Sequence, residues 1–363
     1  MNKIGFGFLR LPLTADKQVD YTLLDPMVDA FLERGGRYFD TAYSYLKGQS
    51  EAAIRKSLVE RHPRESFLLT DKLPTWLLKA HADCRKYYEE QLQRCGVERF
   101  DTYLLHWLNA RYYELAQQHN AFGFLQELKA AGQVDRIGFS YHDTPQLLDQ
   151  ILTEHPEVDY VQLQINYLDW NSDGVQAARC YETAVRHGKE VIVMEPVKGG
   201  TLAELPEAAE QLLKQARPND SAAAWAIRFA QSLEQVSVVL SGMSDLAQVL
   251  DNMVDRPALT ETEQTLLEQV RDWKLGETAI GCTGCSYCVP HCPQNIPIPA
   301  YFSLYNEYAR KPAEAWKVQP AYLEMAKNHG KASDCLQCGQ CQEHCPQKLP
   351  IPEWMPQVAQ ALE

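Results

Sequence analysis

Two stretches of this chain bring cysteines together at a spacing that serves one chemistry. Residues 282–293 read CTGCSYCVPHCP and residues 335–346 read CLQCGQCQEHCP, so Cys-x2-Cys-x2-Cys-x3-Cys-Pro occurs twice and takes up eight of the eleven cysteines. Three thiolates this close wrap the corners of a small inorganic core, and this run is a bacterial 4Fe-4S signature in which the fourth cysteine serves the other cluster. Cys282, Cys285, Cys288 and Cys345 are therefore expected to hold one 4Fe-4S cluster, and Cys335, Cys338, Cys341 and Cys292 the second. Structural zinc also accepts four thiolates, but its modules usually present two spaced cysteine pairs rather than triplets followed by Cys-Pro. Cys84, Cys95 and Cys180 lie outside the runs and read as reduced, packed thiols. His291 and His344 each precede the last cysteine of a run, either as exposed loop residues or as groups that tune the clusters.

On these motifs the tail, residues 281–363, resembles a dicluster ferredoxin module. The two runs stand 42 residues apart, a wide separation for such a module. The insert carries Tyr301, Phe302, Tyr305 and Tyr308 at helical spacing, which predicts a small α-helical domain with these rings in its core. No repeat is legible beyond the cluster runs and the strand-helix units described below.

A chain of 363 residues is long enough for two domains with a sizeable core. A net charge of −13 argues against nucleic acid or an anionic membrane surface as a partner, since both would repel it. The opening MNKIGFGFLRLPLTADKQ has a short apolar run interrupted by Pro12 and Asp16, unlike a secretory signal or a membrane span. Clustered thiols without an export signal predict a reducing cytoplasm.

The elements that would position any further chemistry follow from periodicity. Short apolar runs at residues 4–8, 37–41, 67–71, 102–107, 136–141, 160–165, 190–195 and 237–242 alternate with amphipathic segments such as 24–34, 80–94 and 175–187. Apolar strands alternating with helices form a parallel sheet covered by helices, and eight repeats favour closure into a (β/α)8 barrel over an open sheet. No Gly-x-Gly-x-x-Gly follows a strand, which removes the main signal for the open alternative. The expected organisation is a barrel over residues 1–258, a charged linker helix within 259–280 opened by Thr260 and Glu263, and the cluster domain over 281–363.

In such a barrel, chemistry sits at the C-terminal ends of the strands. Three neighbouring strands end near Asp40, Lys72 and His106, and Tyr45 follows Asp40 by five residues, with Tyr43 as its rival. With this order and spacing, residues 3–255 resemble the aldo-keto reductase family, whose tetrad is Asp, Tyr, Lys and His. The resemblance implies that Tyr45 donates a proton to a carbonyl being reduced. A phenol with a pKa of about 10 needs help to do so, and a nearby Lys72 would lower it. Asp40 would hold Lys72 in place, and His106 would orient the carbonyl oxygen. Trp76 and Trp107 are candidate walls of an apolar substrate pocket.

The same resemblance places a nicotinamide dinucleotide along the later strands. Ser140 and Gln162 would hold its carboxamide, and Met194 stands where an aromatic ring commonly stacks. Glu195 and Val197 would line the pyrophosphate path, with Gly242, Gln248 and Asn252 at the adenosine end. Gly242 and Gln248 occupy positions that are often basic in NADP-preferring members, so NADP and NAD both stay open.

The leading expectation is an oxidoreductase that reduces a small carbonyl compound with NAD(P)H, its two 4Fe-4S clusters serving electron transfer, to a redox partner protein for example, or regulation. The alternative is a ferredoxin-fed oxidoreductase in which the clusters deliver single electrons to a flavin or a substrate in the barrel.

Overall fold

The computed structural model describes residues 3–277, 279–310, 312 and 315–363. Eight strands form a closed, fully parallel barrel in chain order: β1 (Ile4–Gly7), β2 (Tyr38–Asp40), β3 (Leu68–Pro74), β4 (Thr102–Leu108), β5 (Arg136–Tyr141), β6 (Tyr160–Gln164), β7 (Glu190–Met194) and β8 (Val236–Gly242), which returns to β1. The strands lie where the alternation predicts them, with β3 running two residues past Lys72. Two helices went unread: Ala110–Gln118, capped by Asn109 accepting from the Tyr112 amide at 2.9 Å, and Glu207–Ala216.

The barrel interior is filled by side chains of β2, β4, β7 and β8, Tyr38, Leu104, Ile192, Val238 and Leu240, with Tyr160 of β6 against them. At the start of β6, Asp159 accepts from Lys129 and the Ile137 amide and faces Arg136, which also reaches Glu190. This leaves the opposite, C-terminal rim for polar chemistry. Gly138 allows β5 and β6 to meet: a Cβ there would fall 2.1 Å from the Tyr160 carbonyl oxygen.

The chain divides into two compact units. The first holds residues through 172, 176–197 and 223–260, and therefore the barrel strands. The second holds residues 173–175, 198–222 and 261–363. In the second unit, helix Glu261–Glu277 is tied to the segment before it by Arg217 with Glu263 and by Lys274 Nζ donating to the Glu204 carbonyl at 2.6 Å. Helices Ile298–Arg310, Ala315–Ala326 and Ile351–Leu362 surround a core in which Tyr301 and Phe302 are fully buried and Tyr305 and Tyr308 pack at its edge, as the aromatic spacing predicts. Among the described residues no helix is long and apolar enough to cross a membrane.

The second unit contains an internal repeat with an offset of 53 residues that extends beyond the two cysteine runs. Beyond the cysteines, PQNIPIP (293–299) is answered by PQKLPIP (346–352), and helix Ile298–Arg310 by helix Ile351–Leu362. The backbone repeats too. Gly284 and Gln337, Ser286 and Gly339, and Asn295 and Lys348 form pairs at that offset, and all six have positive φ.

Candidate active site and metal centres

The four rim residues meet. Lys72 is fully buried in β3, and its ammonium has three acceptors for its three hydrogens: Asp40 Oδ1 at 2.6 Å, the Thr41 carbonyl at 2.7 Å and the Tyr45 hydroxyl at 3.3 Å. Three bonds to one ammonium fix its position more firmly than a single ion pair would. The backbone beneath it is held as well: Gln91 Nε2 donates to the Lys72 carbonyl at 3.0 Å, and Asp71 Oδ1 accepts from the Lys72 amide at 2.8 Å. Because the Tyr45 oxygen accepts from Lys72, its own hydrogen is available to give away. Tyr43 instead bonds Glu90 and Arg94, which separates it from this group and leaves Tyr45 as the proton donor candidate.

His106 and Tyr45 meet edge to face with centroids 5.7 Å apart, and Trp76 flanks the imidazole at 5.2 Å. Trp107 is turned toward Tyr112 and His142. The buried Nδ1 of His106 has no hydrogen-bond partner among the described residues. Burial, then Lys72 and His142, hold the His106 pKa well below the usual 6.5, so the ring is neutral at physiological pH. An unfolded chain takes up this proton near pH 6.5 while the folded one does not. The contribution of the neutral ring to stability is therefore complete above pH 6.5 and is lost as pH falls below it, at up to about 1.4 kcal/mol per pH unit. In denaturant titrations, wild type minus His106→Gln is expected to be flat above pH 6.5 and to fall below it.

The expectation that Lys72 lowers the Tyr45 pKa is not met. Burial raises it well above 10, and the carboxylates of Asp40, Glu195 and Asp71 add to the rise. The physical reason is first the removal of the phenol from water, and then Asp40, which stands against the ammonium and opposes its field at the phenol. Burial also raises the Asp40 carboxyl, and Lys72 opposes that rise.

Ser140 and Gln162 are direct register partners on β5 and β6, each buried. Ser140 Oγ and Gln162 Oε1 have no hydrogen-bond partner among the described residues. A hydroxyl that can donate beside an amide oxygen that can accept complements a primary carboxamide, which offers one carbonyl and one amino group. Met194 ends β7 half-buried, and Glu195 follows with φ of +56°, its carbonyl accepting from Asn166 at 3.2 Å. Val197 is half-buried two residues on. Gly242 ends β8 exposed, and Gln248 is exposed and bonded to Ser244 and Asp245. Asn252 is buried, donating to Ser241 at 2.9 Å.

Arg10 was missed. It follows β1, lies over Gly242 so closely that a Cβ there would meet its methylenes at 3.1–3.2 Å, and reaches Glu195 at 3.5 Å. The rim lacks a basic residue at 242, but glycine there makes room for a guanidinium arriving from the neighbouring strand. Its place three residues past a strand end was the available signal.

In the second unit the eight cysteines fall into two groups of four. Cys282, Cys285, Cys288 and Cys345 line one cavity, and Cys292, Cys335, Cys338 and Cys341 line another. Each thus takes its fourth thiol from the other run. The donor set suits a polynuclear core, since four thiols stand round each cavity. The amides of Gly284 and Gln337 each donate to a sulfur, Cys282 and Cys335, at 3.4 Å, one in each half of the repeat. Burial pushes the Cys341 thiol up to about 11, with its neighbouring thiols adding. Burial also raises Cys345, opposed by the amides of Leu349, Gln347 and Lys348 and by the Lys198 ammonium. His291 and His344 stack on each other, centroids 3.4 Å apart and planes 7° from parallel. Cys84, Cys95 and Cys180 are buried and free of disulfides, and burial lifts the Cys84 thiol to about 12.

Comparison with known proteins bears on both parts. Residues 3–270 match the model described as the aldo/keto reductase family, and residues 281–350 match one described as a 4Fe-4S dicluster domain. A protein of Mycobacterium avium (strain 104) described as an aldo-keto reductase is 32% identical over 162 residues, covering 44% of this chain and 51% of the relative. The chain spans about half the length of the curated relatives it matches. An aldo-keto reductase from Bacillus halodurans, solved in its holo form, superposes with a TM-score of 0.59 at 24% identity, over 74% of this chain and 91% of that one. One from Klebsiella pneumoniae, in complex with NADPH, gives 0.57 at 19%, over 74% and 90%. These two structures are likenesses of fold.

Proposed function

This chain belongs to the aldo/keto reductase family and carries a 4Fe-4S dicluster domain, and from that premise we propose that it reduces a small carbonyl substrate with NAD(P)H, Tyr45 giving the proton. The observation that carries the proposal is the Lys72 ammonium bonded at once to Asp40 and to the Tyr45 hydroxyl in a buried corner of the rim. The nicotinamide, when bound, supplies a hydride to the carbonyl carbon. The chain's own residues do the rest. Neutral His106, paired with Tyr45 edge to face, presents a ring nitrogen to the carbonyl oxygen and orients it. Tyr45 holds its proton tightly, since burial keeps its pKa high, and releases it to the alkoxide, a stronger base than phenolate. Lys72 then stands against the phenolate until solvent returns a proton. Ser140 and Gln162 would grip the carboxamide, and Arg10 would face the negative pyrophosphate or a 2′-phosphate. Holo NADPH binding in a fold relative is consistent with this arrangement.

The clusters take no part in that step as written. A hydride moves two electrons together, whereas each cluster accepts one. Their proposed role is single-electron transfer to a redox partner, or regulation, and the carbonyl reduction stands without it.

The test is anaerobic oxidation of NADH or NADPH by the purified protein with a panel of aldehydes and ketones, accompanied by cofactor extraction and mass analysis; a bound flavin would favour the ferredoxin-fed alternative. Ser140→Ala combined with Gln162→Leu is expected to weaken dinucleotide binding roughly tenfold, by two hydrogen bonds of about 0.5–1.5 kcal/mol each. The same variant is expected to melt no lower than wild type without cofactor, because it removes two buried polar atoms that the free protein leaves unbonded. Unchanged binding by isothermal calorimetry would remove these residues from the cofactor site.

A further inference from the structure

Lys198 is the residue after Val197, on the loop that leaves β7, yet it belongs to the second unit. It is a lysine with only 4% of its surface exposed. Its ammonium donates to Gln347 Oε1 at 3.1 Å, and Gln347 is itself buried in the wall of the cavity ringed by Cys282, Cys285, Cys288 and Cys345. The 53-residue repeat supplies an internal control. Gln294 occupies the matching place in the wall of the twin cavity, and no lysine bonds it among the described residues.

We infer that Lys198 sets the two clusters apart, making the one held by Cys282, Cys285, Cys288 and Cys345 the easier to reduce. The inference rests on the ligand sets described above. Adding one electron makes a cluster one unit more negative, so a nearby buried cation stabilises the reduced form over the oxidised one. Amide donation to sulfur, the other strong local influence, includes a matched pair at 3.4 Å, Gly284 to Cys282 and Gln337 to Cys335, and the amides around Cys345 act in the same direction as the lysine. Exposure works the other way. Cys338 is the exposed thiol of the eight, and water around the twin favours its reduction. A charge buried beside the first cavity is screened far less than surface charges such as that of exposed Lys348, and it decides the order. An electron entering the domain therefore comes to rest on the cluster held by Cys282, Cys285, Cys288 and Cys345.

The test is an anaerobic potentiometric titration of the intact holoprotein with a low-potential one-electron donor, followed by electron paramagnetic resonance. Lys198→Gln keeps a side chain that can bond Gln347 and drops the charge. It is expected to lower the reduced-to-oxidised ratio of one cluster roughly tenfold at fixed potential, about 59 mV for one electron, and to leave the other wave in place. Lys198→Arg, which keeps the charge, is expected to stay close to wild type. Cys338→Ser alters a ligand of the twin alone and so identifies its wave. Gln347→Leu, which cuts the tether without touching the lysine, is expected to shift the same wave in the same direction, and it carries the test if Lys198→Gln does not fold. Waves that stay put, or that move together, in these variants overturn the inference while the ligand sets stand. Wild-type protein holding fewer than about eight irons would instead overturn the ligand sets, and the inference with them.

Discussion

Replacing Tyr45 with Phe is expected to lower kcat for carbonyl reduction by roughly 10²–10⁴-fold, the usual worth of a positioned proton donor. KM for the dinucleotide should change little. The change deletes one oxygen, so the Lys72 ammonium keeps two of its three acceptors, Asp40 and Thr41, and the fold has no reason to move. Iron content and the visible cluster absorption, which belong to the other unit, should match wild type. Steady-state kinetics with metal analysis on the same sample checks both halves of this expectation. A variant that reduces carbonyls at the wild-type rate would show that the proton comes from elsewhere, with His106 the next group to test.

The second large effect is on stability. Lys72→Met strips the partner from Asp40, a carboxylate only 2% exposed, and leaves it to be buried alone or protonated. Breaking a buried pair from one side costs about 3–5 kcal/mol. The double change Lys72→Met with Asp40→Asn removes both charges and should recover most of that loss, while kcat stays low because the phenolate then has no cation beside it. Chemical denaturation followed in parallel with turnover separates the two readings. Stability and activity recovering together would mean that the pair is structural and Tyr45 works without it.

Most of this organisation was legible before any coordinates. Eight apolar runs at the right separation announce a barrel, and the three polar residues at successive strand ends announce the corner where Asp40, Tyr45, Lys72 and His106 meet. The crossed cysteine sets follow from spacing alone. What escaped did so for definable reasons. Helix Ala110–Gln118 turns tyrosines rather than aliphatic residues inward, so its apolar stripe is faint. The repeat is plain through PQNIPIP and PQKLPIP but fades afterwards, because Tyr301 and Phe302 are answered by Trp354 and Met355, alike in bulk and not in type. The direction of the Tyr45 shift is set first by how deeply the fold buries the phenol and then by Asp40 beside Lys72, neither of which residue order contains. Arg10 escaped because it serves a corner built by two other strands.

The exchange of fourth thiols between the two cysteine runs bears on how the tail matures. Either run by itself offers three sulfurs to a guest that needs four, so the first cube to arrive is secured only once the opposite run has folded into place. Filling either site orders both runs at once and is expected to ease the filling of the other, so under iron starvation native mass spectrometry should find singly filled chains rarer than independent loading would give.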